Sequence, residues 1–486
     1  MLIFTRNHKA TILTEASMTL DLADIQGLVA FGYSRLRFSS FEFLHIKNRH
    51  ETKRWLKTLP IEDARSREEK AKADVPVSST ALNVAIGAPG LVKLGISRCE
   101  LYANFPPEFC GTDDEGAPKN SMGEAIRANV LGDVGTNDPH HWEYGNPKQP
   151  TLDLVVLLYA KDETELENLR ARWITPAIDS GAVSQIASEK SRIFEDEREH
   201  FGFRDGLSQP DIDGIGGATK PSAINPGEFL LGCPDEYGTY SYSPTVNGGH
   251  FDFGKFGSYL VIRKLRQDVA GFHHYFQKEA ASHGGSVTAG WLAAKCVGRW
   301  PSGAPLVRYP QTDPGMEGDN NFEYVGDGKQ PIDSDGLKCP IAAHIRRSNP
   351  RDSLDEGSVQ SRVTVRRHRL LRRGRTFGER PVDPAIDDGK SRGLFFITLQ
   401  ASIRKQFEFV QQTWLNDGKF SRLYESPDPI TAPKVSAEIP PSMTIPQDPV
   451  RLRLSGMPQF VTTLGGGYFF LPSLSAMQYL CELPDK

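Results

Sequence analysis

Two kinds of segment alternate along this chain, and they do so in both halves. Leu152-Asp-Leu-Val-Val-Leu-Leu-Tyr159 is a nearly unbroken apolar run of the length of a buried strand. It leads into Asp162-Glu-Thr-Glu-Leu-Glu-Asn-Leu-Arg170, whose acidic start and leucine spacing predict a helix. Earlier, Phe43-Leu-His-Ile-Lys47 reads as a strand before a helical stretch through Trp55, Leu56 and Leu59. The second half repeats the pattern. Gly257-Ser-Tyr-Leu-Val-Ile-Arg-Lys-Leu265 precedes a helix begun by Asp268 and carrying Val269, Phe272 and Phe276. Gly393-Leu-Phe-Phe-Ile-Thr-Leu-Gln400 precedes a helix capped by Ser402 and carrying Phe407, Val410 and Trp414. Gly465-Gly-Gly-Tyr-Phe-Phe-Leu-Pro472 reads as a bulged last strand, and the Pro/Gly-rich pieces 301–320 and 425–450 as long surface loops. Strand–helix pairs of this kind bury their apolar faces on one another, which predicts an α+β fold of two similar halves joined near Gly216–Gly232.

Two halves also suit the length, because 486 residues exceed the roughly 250–300 that a single core holds. A net charge of −4 gives no global attraction to nucleic acid or to an anionic membrane. No apolar run reaches the ~18 residues of a membrane span. The first eighteen residues read as an untethered leader, and the start from Met1 to Glu15 reads as carrying no secretory signal. Six scattered cysteines with no Cys-x-x-Cys pair read as free thiols, so the expected location is the cytoplasm.

Three segments carry candidate chemistry. The first is His200-Phe-Gly-Phe-Arg-Asp-Gly-Leu-Ser-Gln-Pro210, in which Asp205-Gly206 taken alone is an ordinary turn former. The second is Cys339-Pro-Ile-Ala-Ala-His344-Ile-Arg-Arg-Ser-Asn-Pro-Arg351. A lone histidine among small apolar residues is either a satisfied core imidazole or a single axial ligand to haem iron. The third is Arg366-Arg-His-Arg-Leu-Leu-Arg372-Arg-Gly-Arg-Thr-Phe-Gly378. Residues 344–380 hold eleven arginines, no lysine and four acids, a local excess that suggests an anionic partner. Arginine without lysine favours planar, two-pronged recognition of carboxylate or phosphate. Haem propionate, nucleotide and RNA all remain open at this point.

Taken in order, these segments resemble the dye-decolourising peroxidase family, in particular its larger fungal and bacterial members. Gly202-Phe-Arg-Asp-Gly206 matches the family's GxxDG motif, and Ala343-His344-Ile-Arg-Arg347 and Leu371-Arg372-Arg-Gly-Arg-Thr-Phe-Gly378 follow it. Flanking stretches such as Ala289-Gly-Trp-Leu-Ala-Ala-Lys295 and Phe407-Glu-Phe-Val-Gln-Gln-Thr-Trp414 extend the likeness over about residues 20–480. Thr376 stands where many members have proline, and Cys296 where leucine is usual.

The resemblance implies two ferredoxin-like α+β halves, with haem held by the C-terminal one. The expected division is a leader over 1–19, a first half over 20–225 and a haem-binding half over 226–486. It makes His344 the proximal iron ligand and Asp205 with Arg372 the distal pair that meets hydrogen peroxide. Leu394 and Phe396 would line the distal side, and Arg351 would contact a haem propionate. A carboxylate should hydrogen-bond the ligand histidine; Glu408 and Asp417 are candidates, with Glu408 preferred. The implied cofactor is one haem b per chain. The implied partners are peroxide and bulky reducing substrates such as anthraquinone-type dyes and phenols, with a homodimer expected and neither nucleic acid nor membrane. Two other readings compete, a haem-handling protein with incidental peroxidase activity and an RNA-binding ferredoxin-like protein.

Overall fold

A computed structural model of the chain describes residues 19–484, apart from short stretches at 67–68, 71–78, 113–115, 117, 119–121, 123–124, 217–219, 221, 316–318, 327–331, 355–358 and 434–440. The expected leader over 1–19 lies almost wholly outside the described residues.

Four strands come from the first half: β1 (Phe38–Ile46), β2 (Thr80–Ile86), β3 (Leu154–Ala160) and β4 (Val183–Arg192). They lie in the order β2-β3-β1-β4. The second half supplies β5 (Ser258–Gln267), β6 (Leu371–Arg372), β7 (Arg375–Phe377), β8 (Gly393–Gln400) and β9 (Val461–Leu471). Here β6 and β7 pair with one edge of β8, at Thr398↔Arg372 and Gly393↔Phe377, so they act as one strand broken at Arg373-Gly374. Counting them as one, the order is β9-β5-β8-β6/β7, the same permutation as in the first half. Both halves therefore have the strand order of a ferredoxin-like fold, and the molecule is α+β.

The halves meet edge to edge through one residue pair at each seam, Phe470↔Ile86 between β9 and β2 and Arg192↔Thr376 between β4 and β7. Because β5 also pairs with β8, the sheet closes on itself and leaves no open edge between the halves. Alternate residues of each strand point to opposite faces. One set, including Phe41, Phe43, Tyr159, Ile262, Phe395, Ile397 and Phe469, packs together in one apolar cluster. The other set, including Leu44, Val84, Leu158 and Val261, packs into a second cluster with helix residues such as Leu91 and Leu166.

Helices cover the strands where the sequence predicts them. Asp162 caps Glu163–Trp173 by accepting from the Glu165 N–H at 2.8 Å, and Asp268 caps Val269–Ser282 through the Gly271 N–H at 2.9 Å. Ser402 caps its element too, but Ile403–Glu408 and Val410–Asn416 wind as π-helix rather than α-helix. The predicted bulge in the last strand is a register shift between Thr463 and Gly465. The stretch 425–450 is not wholly loop, since Met443–Ile445 pairs with Leu452–Leu454 in a short hairpin. Among the described residues no helix is long and apolar enough to cross a membrane.

Candidate active site

One cavity gathers His344, Asp205, Arg372, Arg351, Leu394 and Phe396. Strands β5, β8 and β9 contribute Leu265, Leu394, Phe396 and Val461, and Ile345, Val410 and Ile430 add further apolar surface. Leu394 and Phe396 reach it because they alternate along β8 with Phe395 and Ile397, which are fully buried in the apolar cluster of the sheet.

His344 opens the short helix His344–Ser348. The two arginines that follow it hold that helix in place rather than face a ligand. Arg346 donates to the Asp333 carboxylate at 3.1 Å and the Cys339 carbonyl at 2.7 Å. Arg347 donates to the carbonyls of Ser426 (2.8 Å) and Asp417 (2.6 Å). The Ser426 contact draws the 426–431 segment against the helix. There Asp428, buried, accepts from His344 Nδ1 at 2.9 Å through Oδ2. Its Oδ1 accepts from Ile430 N, Thr431 N and Thr431 Oγ1 at 3.0, 2.7 and 3.0 Å. Burial would raise this carboxyl, but His344, Arg347 and the Thr431 N–H outweigh it and hold Asp428 below the usual carboxylate range.

This corrects the expected partner of the histidine. Glu408 accepts instead from Tyr468 Oη at 3.0 Å and Arg127 Nη1 at 2.7 Å, and burial pushes its carboxyl up. It lies on a π-helical stretch, where the 100° per residue of an α-helix no longer predicts which side chains share a face. Asp417, the other candidate, uses its backbone carbonyl to hold Arg347 and its carboxylate to cap the Lys419 N–H. No local signal marks Asp428. It sits in a Pro-rich stretch 84 residues from the histidine and reads as a turn former.

Asp205 and Arg372 form an ion pair at 3.5 Å. The loop that carries Asp205 turns through Gly202 (φ 96°) and Gly206 (φ 79°), a region that favours glycine. Glu199 pins this loop by accepting from the N–H groups of Phe201 and Phe203 at 2.8 and 2.9 Å and from Gln267 Nε2 at 2.5 Å. Arg372 is set by its place opposite Thr398 in the sheet and by donation of its N–H to Gln209 Oε1 at 3.0 Å. A side chain at Gly374 would press on the Phe395 carbonyl at 3.1 Å and approach Asp205 Oδ2 at 3.7 Å.

Arg351 is half-buried, lies 3.9 Å over the Phe322 ring, and donates to the carbonyls of Asn320 and Phe322 at 3.1 and 2.8 Å. The arginine excess divides by use. Arg373 and Arg375 cap carbonyls of the 28–36 segment, whereas Arg351, Arg369 and Arg372 line the cavity.

These residues fit a haem. His344 Nδ1 is committed to Asp428, while Nε2 has no hydrogen-bond partner among the described residues and keeps its lone pair available to a metal. The apolar lining suits a flat macrocycle, and the arginines suit its carboxylates.

No family model matches the chain. It is 33% identical to the multifunctional dye peroxidase DyP2 of Amycolatopsis sp., over 83% of this chain and 85% of that protein. It is 28% identical to the dye-decolorizing peroxidase msp1 of Mycetinis scorodonius, over 95% of this chain and 88% of that one. Among solved structures it superposes on a decolorizing peroxidase from Auricularia auricula-judae with a TM-score of 0.74 at 25% identity, covering 95% of this chain and all of that one. A dye-decolorizing peroxidase in complex with 2,6-dimethoxyphenol gives a TM-score of 0.73 at 25% identity, again over 95% of this chain and all of that one. With this fold and a relative at 33% identity over most of both chains, the protein belongs to the dye-decolorizing peroxidases, which are haem-dependent oxidoreductases.

Proposed function

We propose that this chain binds one haem b through His344 and uses hydrogen peroxide to oxidise bulky reducing substrates such as dyes and phenols. The observation that carries the reading is one cavity lined both by His344, whose Nδ1 the buried Asp428 holds from behind, and by the Arg372–Asp205 pair. When bound, haem supplies the redox chemistry that accepts two electrons' worth of oxidising power from peroxide and passes it on to reductants. His344 would hold the iron, and the hydrogen bond that Asp428 accepts from Nδ1–H would make the imidazole a stronger donor.

Peroxide must lose a proton from one oxygen and gain one at the other before its O–O bond breaks. The Asp205 carboxylate takes up and returns that proton as general base and then acid. Arg372 keeps its charge throughout, so it acts by holding Asp205 and by stabilising negative charge on the leaving oxygen. Leu394 and Phe396 keep water from crowding the reacting end of the cavity. Arg351 donates to a carboxylate of the cofactor.

The division into a first half over 20–225 and a second over 226–486 belongs to the same proposal, supported by the strands of each ferredoxin-like unit falling on either side of that point. So do a homodimer and a cytoplasmic location; six free cysteines suit a reducing compartment. A phenolic reductant is consistent with the dimethoxyphenol complex of the structural relative. The test is His344→Ala. It should purify largely free of haem, with a Soret band partly restored by added imidazole, whereas the wild type turns over a dye with peroxide. Full haem content and an unchanged spectrum in that variant would remove His344 from its role.

A further inference from the structure

Charges around the cavity do not balance. Of the six arginines that line it, Arg204, Arg263 and Arg372 have a carboxylate within ion-pair distance, whereas Arg299, Arg351 and Arg369 have none among the described residues. The nearest acid in sequence, Asp352, spends its carboxylate on the N–H groups of Tyr324, Val325 and Gly326. Two of the remaining arginines are largely committed to neutral oxygens. Arg299 donates to the carbonyls of Gly303 and Asp319 at 2.8 and 3.0 Å, and Arg351 to those of Asn320 and Phe322. Both also reach Asn320 Oδ1, at 3.2 and 2.7 Å.

Arg369 differs. Among the described residues its guanidinium makes a single hydrogen bond, from Nη2 to the Ser208 carbonyl at 3.0 Å. Gln406 Nε2 holds its backbone carbonyl at 2.9 Å, so the residue is fixed although its charged end is not. Burial, followed by repulsion from Arg351, Arg372 and Arg366, pushes its guanidinium down to about 9, which leaves it charged at neutral pH. A half-buried cation with four N–H groups uncommitted and two like charges beside it is unfavourable unless an anion arrives. Asp211 offsets part of that repulsion but is itself ion-paired with Lys220 at 3.0 Å, and no carboxylate among the described residues lies within ion-pair distance of Arg369, so the counter-charge is left to a ligand.

We propose that Arg369 is a second anchor for the carboxylates of the haem, acting beside Arg351. Two arginines then meet the two propionates, while Arg372 stays with Asp205 for peroxide. The assignment rests on the haem-binding reading above, and binding experiments separate the two.

Apoprotein is titrated with hemin and, separately, with hemin dimethyl ester, following the Soret band, for wild type, Arg369→Gln and Arg369→Lys. Arg369→Gln should bind hemin about 10- to 100-fold more weakly, the worth of a hydrogen bond between charged groups. Its affinity for the dimethyl ester should match that of wild type, and Arg369→Lys should recover part of the loss for hemin alone. Equal losses for hemin and its ester would make Arg369 a structural residue and overturn the proposal, as would wild-type hemin affinity in Arg369→Gln. If Arg369→Gln fails to fold, Arg369→Lys is read by the same comparison of acid and ester. Failure of the wild type to bind hemin would instead overturn the haem-binding reading itself.

Discussion

Asp428→Asn should damage haem binding while leaving the fold intact, and the reason lies in a tautomer. Asp428 Oδ1 takes three donors, from Ile430 N, Thr431 N and Thr431 Oγ1, so in an asparagine the amide oxygen must occupy that place. The amide NH2 group then faces His344 Nδ1, where Oδ2 now accepts at 2.9 Å. Two donors cannot share a hydrogen bond. The imidazole relieves the conflict by carrying its proton on Nε2, and an Nε2–H has no lone pair for iron. Losing an outer-shell partner of a metal ligand costs about 10- to 100-fold in affinity, or about 1.4–2.7 kcal/mol. Hemin titration into apoprotein measures the first effect. The ferric/ferrous potential of the variant that does load should move to more positive values, because the histidine donates less charge. Unchanged hemin affinity together with an unchanged potential would refute the role given to Asp428.

Three further outcomes are expected. Asp205→Asn should retain haem yet slow the Soret change on mixing with peroxide by about two to four orders of magnitude, whereas Arg372→Leu should slow it and weaken haem retention; stopped-flow absorbance decides, and a wild-type rate in Asp205→Asn would shift the essential role to Arg372. Buried His200 donates from Nε2 to the Phe377 carbonyl, and burial with nearby Arg392, Arg380 and Arg192 brings its imidazole down to about 4. Unfolded histidine protonates near 6.5, so this contribution is full above that pH and is lost as pH falls toward 4, up to about 3 kcal/mol; urea melts should show a shallower acid limb in His200→Gln. Burial pushes the Glu228 carboxyl up to about 7, so its contribution runs the other way and is lost as pH rises from the usual carboxylate range through 7. Glu228→Gln should therefore be more stable than wild type at pH 8, by about 2–3 kcal/mol, and equal stability there would show that the carboxyl is not held neutral.

What the sequence makes legible here follows from how far each signal reaches along the chain. Strand and helix identity is local: the apolar run ending at Tyr159, the caps at Asp162, Asp268 and Ser402, and the glycine run behind the bulge at Thr463/Gly465 all declare themselves within a dozen residues. Closure of the two halves into one ring is not local. It turns on single pairings, Phe470↔Ile86 and Arg192↔Thr376, between residues far apart in the chain, and no periodicity encodes which edges will meet. The arginine-rich stretch shows the same limit in its chemistry. Its excess charge is visible, but Arg373 and Arg375 spend theirs on the carbonyls of a segment more than 330 residues earlier, whereas Arg369 keeps most of its donors. Composition cannot separate a cation that caps a backbone from one that awaits an anion. The partner of His344 is the sharpest instance. The resemblance calls for a carboxylate and Glu408 is the preferred candidate, but that side chain accepts from Tyr468 and Arg127, and a loop aspartate reaches the imidazole because Arg347 draws the Ser426 carbonyl in beside it. The site is thus assembled by side chains that hold backbone, and these act only once the chain has folded around them.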